Sequence, residues 1–161
     1  MTRISRCGWL AYGLAVTVVV VDQAAKAIVG GLHLVPGVSL QLWGPLRLTL
    51  VQNTGVSFGL FRGDAPWTRW ALAGFSLAVA LFLAVWARRA ARPITGLSAG
   101  LIMGGAVGNL IDRVRDGSVV DFIDVTRLHF PWVFNVGDSA ITVGIVLLLA
   151  ENLLSPRAMP A

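Results

Sequence analysis

Cysteine, lysine, histidine and glutamate are nearly missing from this chain. Its 161 residues include one Cys (Cys7), one Lys (Lys26), one Glu (Glu151) and two His (His33 and His129). A lone cysteine has no partner within the chain, so a disulfide scaffold is excluded. The lack of a Cys cluster or an H-x-x-x-H pair argues against a zinc site. Charged residues make up only 13% of the chain, against roughly 25% in ordinary soluble domains. That scarcity excludes disorder and coiled coil. What the chain has in abundance is apolar surface: 56% of its residues are hydrophobic and the mean hydropathy is +0.75. The reading is one integral membrane domain over residues 1–161. The net charge of +5 does not point to nucleic acid, because no basic face with interleaved aromatics lies outside the apolar runs.

Four runs are long enough to cross a bilayer, which takes about 20 mostly apolar residues. They cover residues 9–29, 70–87, 94–111 and 135–154. The first resembles a signal peptide, with Arg3 and Arg6 ahead of it and Ala25-Lys26-Ala27 as a nominal cleavage site. Its length, the charges of Asp22 and Lys26 near that site, and the three spans that follow argue against removal.

Basic residues set the orientation. Arg3, Arg6, Arg88, Arg89, Arg92 and Arg157 fall in very short stretches, whereas Arg47, Arg62, Arg69, Arg115 and Arg127 are spread over two longer ones. Density of positive charge marks the cytoplasmic side. Both termini are therefore expected inside, with residues 30–69 and 114–134 outside. In the first outer segment, Val38 to Leu42 and Leu46 to Val51 flank a Trp43-Gly44-Pro45 turn, and Leu46, Leu48 and Leu50 alternate with Arg47, Thr49 and Val51. That period of two predicts a half-buried strand. The fold class is thus all-α membrane protein, four transmembrane helices with a small β-sheet on the outer membrane surface. Phe58, Leu60, Phe61, Trp67 and Trp70 are expected at headgroup depth. Gly96, Gly100, Gly104 and Gly108 form an i, i+4 ladder on the third span, which predicts close helix packing.

Ionisable groups inside a membrane are functional candidates. Here they gather at one level. Asp22 and Lys26 lie near the outer end of span one, Asn109, Asp112 and Arg113 at that of span three, and Asn135 and Asp138 at that of span four. Asp121 and Asp124 lie in the outer segment between spans three and four; Glu151 sits near the inner end. The spacing of Asp22 and Lys26 suits an i, i+4 pair, and Asp112 beside Arg113 suits a clamp on the loop. Asn53 suits a tight turn or a ligand contact. Ser139 has no evident base, and Cys7 is on the wrong side for a nucleophile at this level. Carboxylate chemistry remains: two close carboxylates ionise in separate steps, so one holds a proton while the other accepts one from water. Such a dyad needs no metal and no cofactor. Asp138 is the best single candidate; Asp112, Asp116, Asp121 and Asp124 are its possible partners.

Five segments in order resemble the motifs of the lipoprotein signal peptidases, or signal peptidase II. They are Asp22-Gln23-Ala24-Ala25-Lys26, Asn53-Thr54-Gly55-Val56-Ser57-Phe58, the run from Gly105 to Arg113, Val119-Val120-Asp121-Phe122, and the run from Phe134 to Ser139. The resemblance covers the whole chain. It implies a catalytic pair of Asp121 and Asp138, with Asp22, Lys26, Asn53, Gly55, Gly108, Asn109, Asp112, Arg113 and Asn135 supporting the site or holding substrate. It implies a bacterial inner-membrane endopeptidase, active without cofactor and expected as a monomer among membrane lipids. The implied substrate is a diacylglyceryl-modified prolipoprotein, cut on the N-terminal side of the lipidated Cys at the outer leaflet boundary. Two positions depart from the family pattern: Gly137 stands where Ala is usual, and Val56-Ser57 replaces Ala-Ala. Two other classes fit less well. A four-span transporter places its charge near mid-membrane, and a phosphotransferase holding Mg²⁺ on Asp residues needs a spacing absent here.

Overall fold

The computed structural model describes residues 3–35, 38–55, 66–130 and 132–154. Four long helices and four short strands follow one another as the apolar runs dictate. The helices are α1 (Arg6–Gly31), α2 (Pro66–Ala87), α3 (Pro93–Arg115) and α4 (Val136–Leu154). All four are long and apolar enough to cross a membrane. Each extends beyond its apolar run or matches it closely, because a helix continues into the headgroup layer until a cap or turn stops it. Ser5 caps α1 by accepting from the Gly8 amide at 2.9 Å. Proline stands at the start of α3, where its missing N–H costs nothing.

The central helix is α3, the most buried of the four, packed against α1, α2 and α4. Its glycine ladder takes a closely packed helix, as expected, and that helix is α1. The backbone of α1 comes so close that a Cβ at Gly96 or Gly100 would strike the carbonyl of Cys7 or Ala11 at 2.5 and 2.6 Å. Apolar side chains such as Phe75, Phe82, Val85, Val146 and Leu149 point outward, where a bilayer would cover them. Trp9 and Trp86 lie at one end of the bundle and Trp67 and Trp70 at the other, all substantially exposed. Aromatic residues at both ends bracket the apolar span. Phe58, Leu60 and Phe61 lie outside the described residues.

The sheet is antiparallel throughout, in the order β1 (Ser39–Trp43), β2 (Leu46–Asn53), β3 (Val119–Asp124) and β4 (Val133–Phe134). It therefore draws on both longer inter-helix segments, that between α1 and α2 and that between α3 and α4. Leu48 and Phe122 pack on Val29, with Leu50 and Val136 around them, which seats the sheet on the ends of α1 and α4. Thr49 departs from the simple alternation. It is buried because its hydroxyl lies 2.6 Å from Asp124 Oδ2 and 2.7 Å from Ser39 Oγ. A register shift between Leu48 and Val51 places three steps of β2 against two of β3. Bulges of this kind re-aim side chains beside functional sites.

Candidate active site

Two polar clusters meet where α1, α3, α4 and β3 converge. The first is built on charge. Asp22, Lys26 and Asp112 are almost wholly buried. Lys26 Nζ lies 2.7 Å from Asp22 Oδ2 and 2.7 Å from Asp112 Oδ2, and donates to Asn109 Oδ1 at 3.1 Å. The expected i, i+4 pair is present, but it is half of a larger group. Asp112 pairs with Lys26 across the helix interface, and not with its neighbour Arg113. The reason is helical geometry: adjacent residues on a helix do not face each other, and the Gly108 surface lets α1 bring Asp22 and Lys26 against α3. The remaining carboxylate oxygens are also held. Gly137 N donates to Asp22 Oδ1 at 2.8 Å, Gln23 Nε2 to Asp112 Oδ1 at 2.8 Å, and Val120 N to Asp112 Oδ2 at 3.3 Å. Three helices and β3 are thereby tied to one ammonium group.

The second cluster is built on amides. Asn135, fully buried, stands between β4 and α4. Its Nδ2 donates to Asp121 Oδ1 at 2.7 Å and to Asn109 Oδ1 at 3.2 Å. Its backbone N–H donates to Asp138 Oδ2 at 3.3 Å, and its side-chain oxygen accepts from the Asp138 amide at 2.9 Å. Asn109 Nδ2 completes the grip on Asp138 Oδ1 at 2.8 Å. On the other side, Asn53 Nδ2 donates to Asp121 Oδ2 at 2.9 Å while its oxygen accepts from Gly55 N at 3.0 Å. The turn reading of Asn53 is therefore realised, and the same side chain also contacts Asp121. Arg113 donates to the Asn109 carbonyl at 3.4 Å.

Of the possible partners of Asp138, only Asp121 shares its amide cluster among the described residues. Asp112 is committed to Lys26. Asp116 is held by Arg115 at 2.7 Å, which keeps its carboxyl below the usual range. Asp124 is three residues along β3 and turned elsewhere, to Arg47 at 2.9 Å and to Thr49 and Thr126. Asp124 burial opposes its charge, yet these hydrogen bonds outweigh it and hold the carboxyl well below its ordinary value. Asp121 behaves oppositely. Burial, and next the negative charge of Asp138, push it up to about 7, against the donors Asn53 and Asn135. A carboxyl raised to about 7 is suited to hold and give a proton near neutral pH.

Two cavities open beside Asp138. One, of about 700 Å³, is walled by apolar groups including Phe130, Trp132, Phe134 and Val146. The other, of about 340 Å³, lies between α2, α3 and α4, with Asn109 and Arg113 beside Leu72, Phe75 and Ile102. Ile141 and Ile145 border both. Sequence reasoning missed Gln23 as a site residue, although it is the one amide side chain on α1 next to Asp22, and a polar residue at that depth was the available signal. Ser139 donates to the Asn135 carbonyl at 2.9 Å, a bond within the first turn of α4.

The sequence profile of signal peptidase II matches residues 14–154. The chain belongs to the signal peptidase II family. It is a multi-pass membrane protein of a peptidase family. A lipoprotein signal peptidase of Caulobacter vibrioides is 56% identical over 154 residues, covering 94% of this chain and 91% of that protein. One from Methylobacterium radiotolerans is 42% identical, covering 97% and 93%. Two solved structures of bacterial membrane enzymes, determined by the in meso method, superpose with a TM-score of 0.79. They are 27% and 28% identical, and cover 100% and 97% of this chain and 99% of their own. Against the signal peptidase II pattern, Gly137 is a point of close packing. A Cβ there would lie 3.1 Å from Asn135 Oδ1, 3.1 Å from the Gly105 carbonyl and 3.3 Å from Asp22 Oδ1. Val56 and Ser57 lie outside the described residues.

Proposed function

We propose that this signal peptidase II is an aspartic endopeptidase that removes the signal peptide from diacylglyceryl-modified prolipoproteins, with Asp121 and Asp138 as the catalytic pair. The observation that carries the reading is Asn135. One buried side chain and its own backbone hold both carboxyls, at 2.7 and 3.3 Å, while Asp121 is pushed up to about 7.

Near neutral pH the pair then retains one proton, with Asp121 carrying it. A water molecule attacks the carbonyl carbon of the residue preceding the lipidated Cys. Asp138 takes a proton from that water, and Asp121 gives its proton to the carbonyl oxygen. The tetrahedral intermediate collapses as Asp121 recovers a proton from the oxygen and Asp138 delivers one to the leaving nitrogen. The C–N bond breaks, giving a signal peptide with a free carboxyl and a lipoprotein with a free Cys amine. Water supplies every atom gained, and both carboxyls return to their starting states.

The apolar walls beside Asp138 suit the acyl chains, and the sheet above suits the peptide. The density of arginine at residues 3–6 and 88–92 supports a cytoplasmic position for both termini, with the acids at the outer leaflet boundary. We take the working form to be a monomer. Incubating the purified chain with a diacylglyceryl-modified lipobox peptide should release the signal peptide, as seen by mass spectrometry, with and without a strong chelator. An unlipidated peptide of the same sequence should remain intact. Loss of cleavage in chelator, restored by Zn²⁺ or Mg²⁺, would instead favour a metal-assisted reaction.

A further inference from the structure

The first turn of α2 carries Arg69, a cation where the helix dipole is least favourable to one. Its donors act across the helix interface, at the C-terminal end of α3. Nε donates to the Arg113 carbonyl at 2.6 Å and Nη2 to the Val114 carbonyl at 2.5 Å. Both carbonyls belong to the last turn of α3, where intrahelical donors run short and the dipole is negative. The acid of that turn, Asp116, is taken by Arg115 at 2.7 Å. The Arg69 guanidinium also lies 4.8 Å from the centre of the Trp70 ring. Gly117 leaves room for it: φ there is 82°, and a Cβ would stand 3.3 Å from Arg69 Nη1. One side chain thus clamps the start of α2 to the end of α3.

The turn so held bears Arg113, which borders the cavity of about 340 Å³ that reaches Asp138. Among the described residues the Arg113 guanidinium makes one long hydrogen bond, to the Asn109 carbonyl at 3.4 Å. Its direction is therefore set by the backbone it stands on, and that backbone is what Arg69 grips. The facing wall of the cavity is α2 itself, through Leu72, Phe75, Ser76 and Val79, further along the helix that Arg69 begins. We infer that Arg69 is a positioning residue of the peptidase: by fixing the last turn of α3 against α2, it aims Arg113 at substrate held beside Asp138. The inference rests on the peptidase reading above. A planar fork suits the task, because two successive carbonyls are held at once. A lysine ammonium would keep the charge at the helix end without the fixed pair of donors.

Kinetics on the diacylglyceryl-modified lipobox peptide test it, beside a distance measurement that needs no turnover. Arg69→Gln should lower kcat/KM by about ten-fold to a hundred-fold, as misplacement does, with KM rising. Arg69→Lys should recover part of the loss. Arg115→Gln, on the same turn of α3, should match wild type. In an Arg113→Gln background, Arg69→Gln should add little, because its effect passes through that side chain. A purely structural arginine would add its full loss there. Spin labels at Trp67→Cys and Val114→Cys, on a Cys7→Ser background, should report a longer or broader α2–α3 separation once Arg69→Gln is introduced. The proposal is overturned by wild-type kinetics in Arg69→Gln, by a fully additive loss with Arg113→Gln, or by an unchanged separation. Should circular dichroism show Arg69→Gln unfolded, Arg69→Lys carries the same three comparisons with smaller changes expected. A wild type that leaves the peptide intact would sink the peptidase reading and the positioning role with it, while the label separation still decides the clamp.

Discussion

Lys26 and Asp112 meet across the α1–α3 interface at 2.7 Å, each nearly or fully buried. The same ammonium holds Asp22 at 2.7 Å. Removing the ammonium leaves two buried carboxylates facing one another. Lys26→Met should therefore lower stability severely, on the order of 3–5 kcal/mol. Asp112→Asn leaves the Asp22–Lys26 pair standing and should cost less. Thermal unfolding of both variants in detergent checks the order; a milder effect from Lys26→Met would remove the charge argument.

The proposed catalytic pair has a sharper signature. Asp121→Asn and Asp138→Asn should each abolish cleavage, because each replaces an ionisable group by a near-isostere. The double variant should be little worse than either single one, as for groups that act as a unit. Wild-type activity should fall as pH rises through about 7, where Asp121 loses the proton the mechanism requires. The observed midpoint belongs to the pair and not to one residue.

The stability of Asp121→Asn should run opposite to its activity. The Asp121 carboxyl titrates at about 7 in the fold against an ordinary 3.8. A folded value above the unfolded one means that the protonated form favours the fold. That contribution is complete below the ordinary value and is lost as pH rises through about 7. Asn mimics the protonated form at every pH. At pH values above about 8 the inactive variant should melt higher than wild type, and near pH 4 the two should converge. Melting curves at the two pH values decide it: a variant that melts lower than wild type at the alkaline one would contradict burial as the dominant cause.

Much of this was legible in the sequence because the bilayer imposes it. Apolar run length gave four spans, and alternation about Gly44-Pro45 gave β1 and β2. The glycine ladder gave a close helix contact on α3, though not that α1 makes it. Other features depend on contacts between residues far apart in the chain. β4 is two residues long, Val133–Phe134, and two residues carry no periodicity. Asp112 stood beside Arg113 in sequence, yet helix packing chose Lys26, 86 residues away. Strand alternation separated Asp121 from Asp124 but did not say which one faced α4. That depended on Asn135, and on Arg47 and Thr49 capturing Asp124.

Asp124 should matter to folding and not to cleavage. Its carboxyl is held below the ordinary range by Thr49, Thr126 and Arg47. A lowered folded value stabilises above the ordinary value and is lost as pH falls through the folded one. Asp124→Asn should retain most of the activity while lowering stability by about 1.5–3 kcal/mol at neutral pH. The gap between it and wild type should narrow in acid. A dead Asp124→Asn enzyme that still folds would move the catalytic assignment along β3.

Two glycines beside Asp22 should respond differently to a methyl group. A Cβ at Gly108 would lie 2.5 Å from Asp22 Oδ2, the oxygen bound to Lys26. Asp22 has no freedom to retreat, because its other oxygen accepts from Gly137 N at 2.8 Å. Gly108→Ala should force α1 and α3 apart and cost about 1–3 kcal/mol or more, with activity falling alongside. At Gly137 the nearest approach is 3.1 Å, to Asn135 Oδ1 and the Gly105 carbonyl. A shift of a few tenths of an ångström relieves it, so Gly137→Ala should fold with little loss. The same shift moves Asn135, which holds both carboxyls. Gly137→Ala should therefore change the turnover rate more than the melting temperature, and Gly108→Ala should change both. Parallel measurements of cleavage rate and thermal melting on the two variants separate these effects. Equal losses of stability would show that the space around Asp22 is not what sets the two glycines apart.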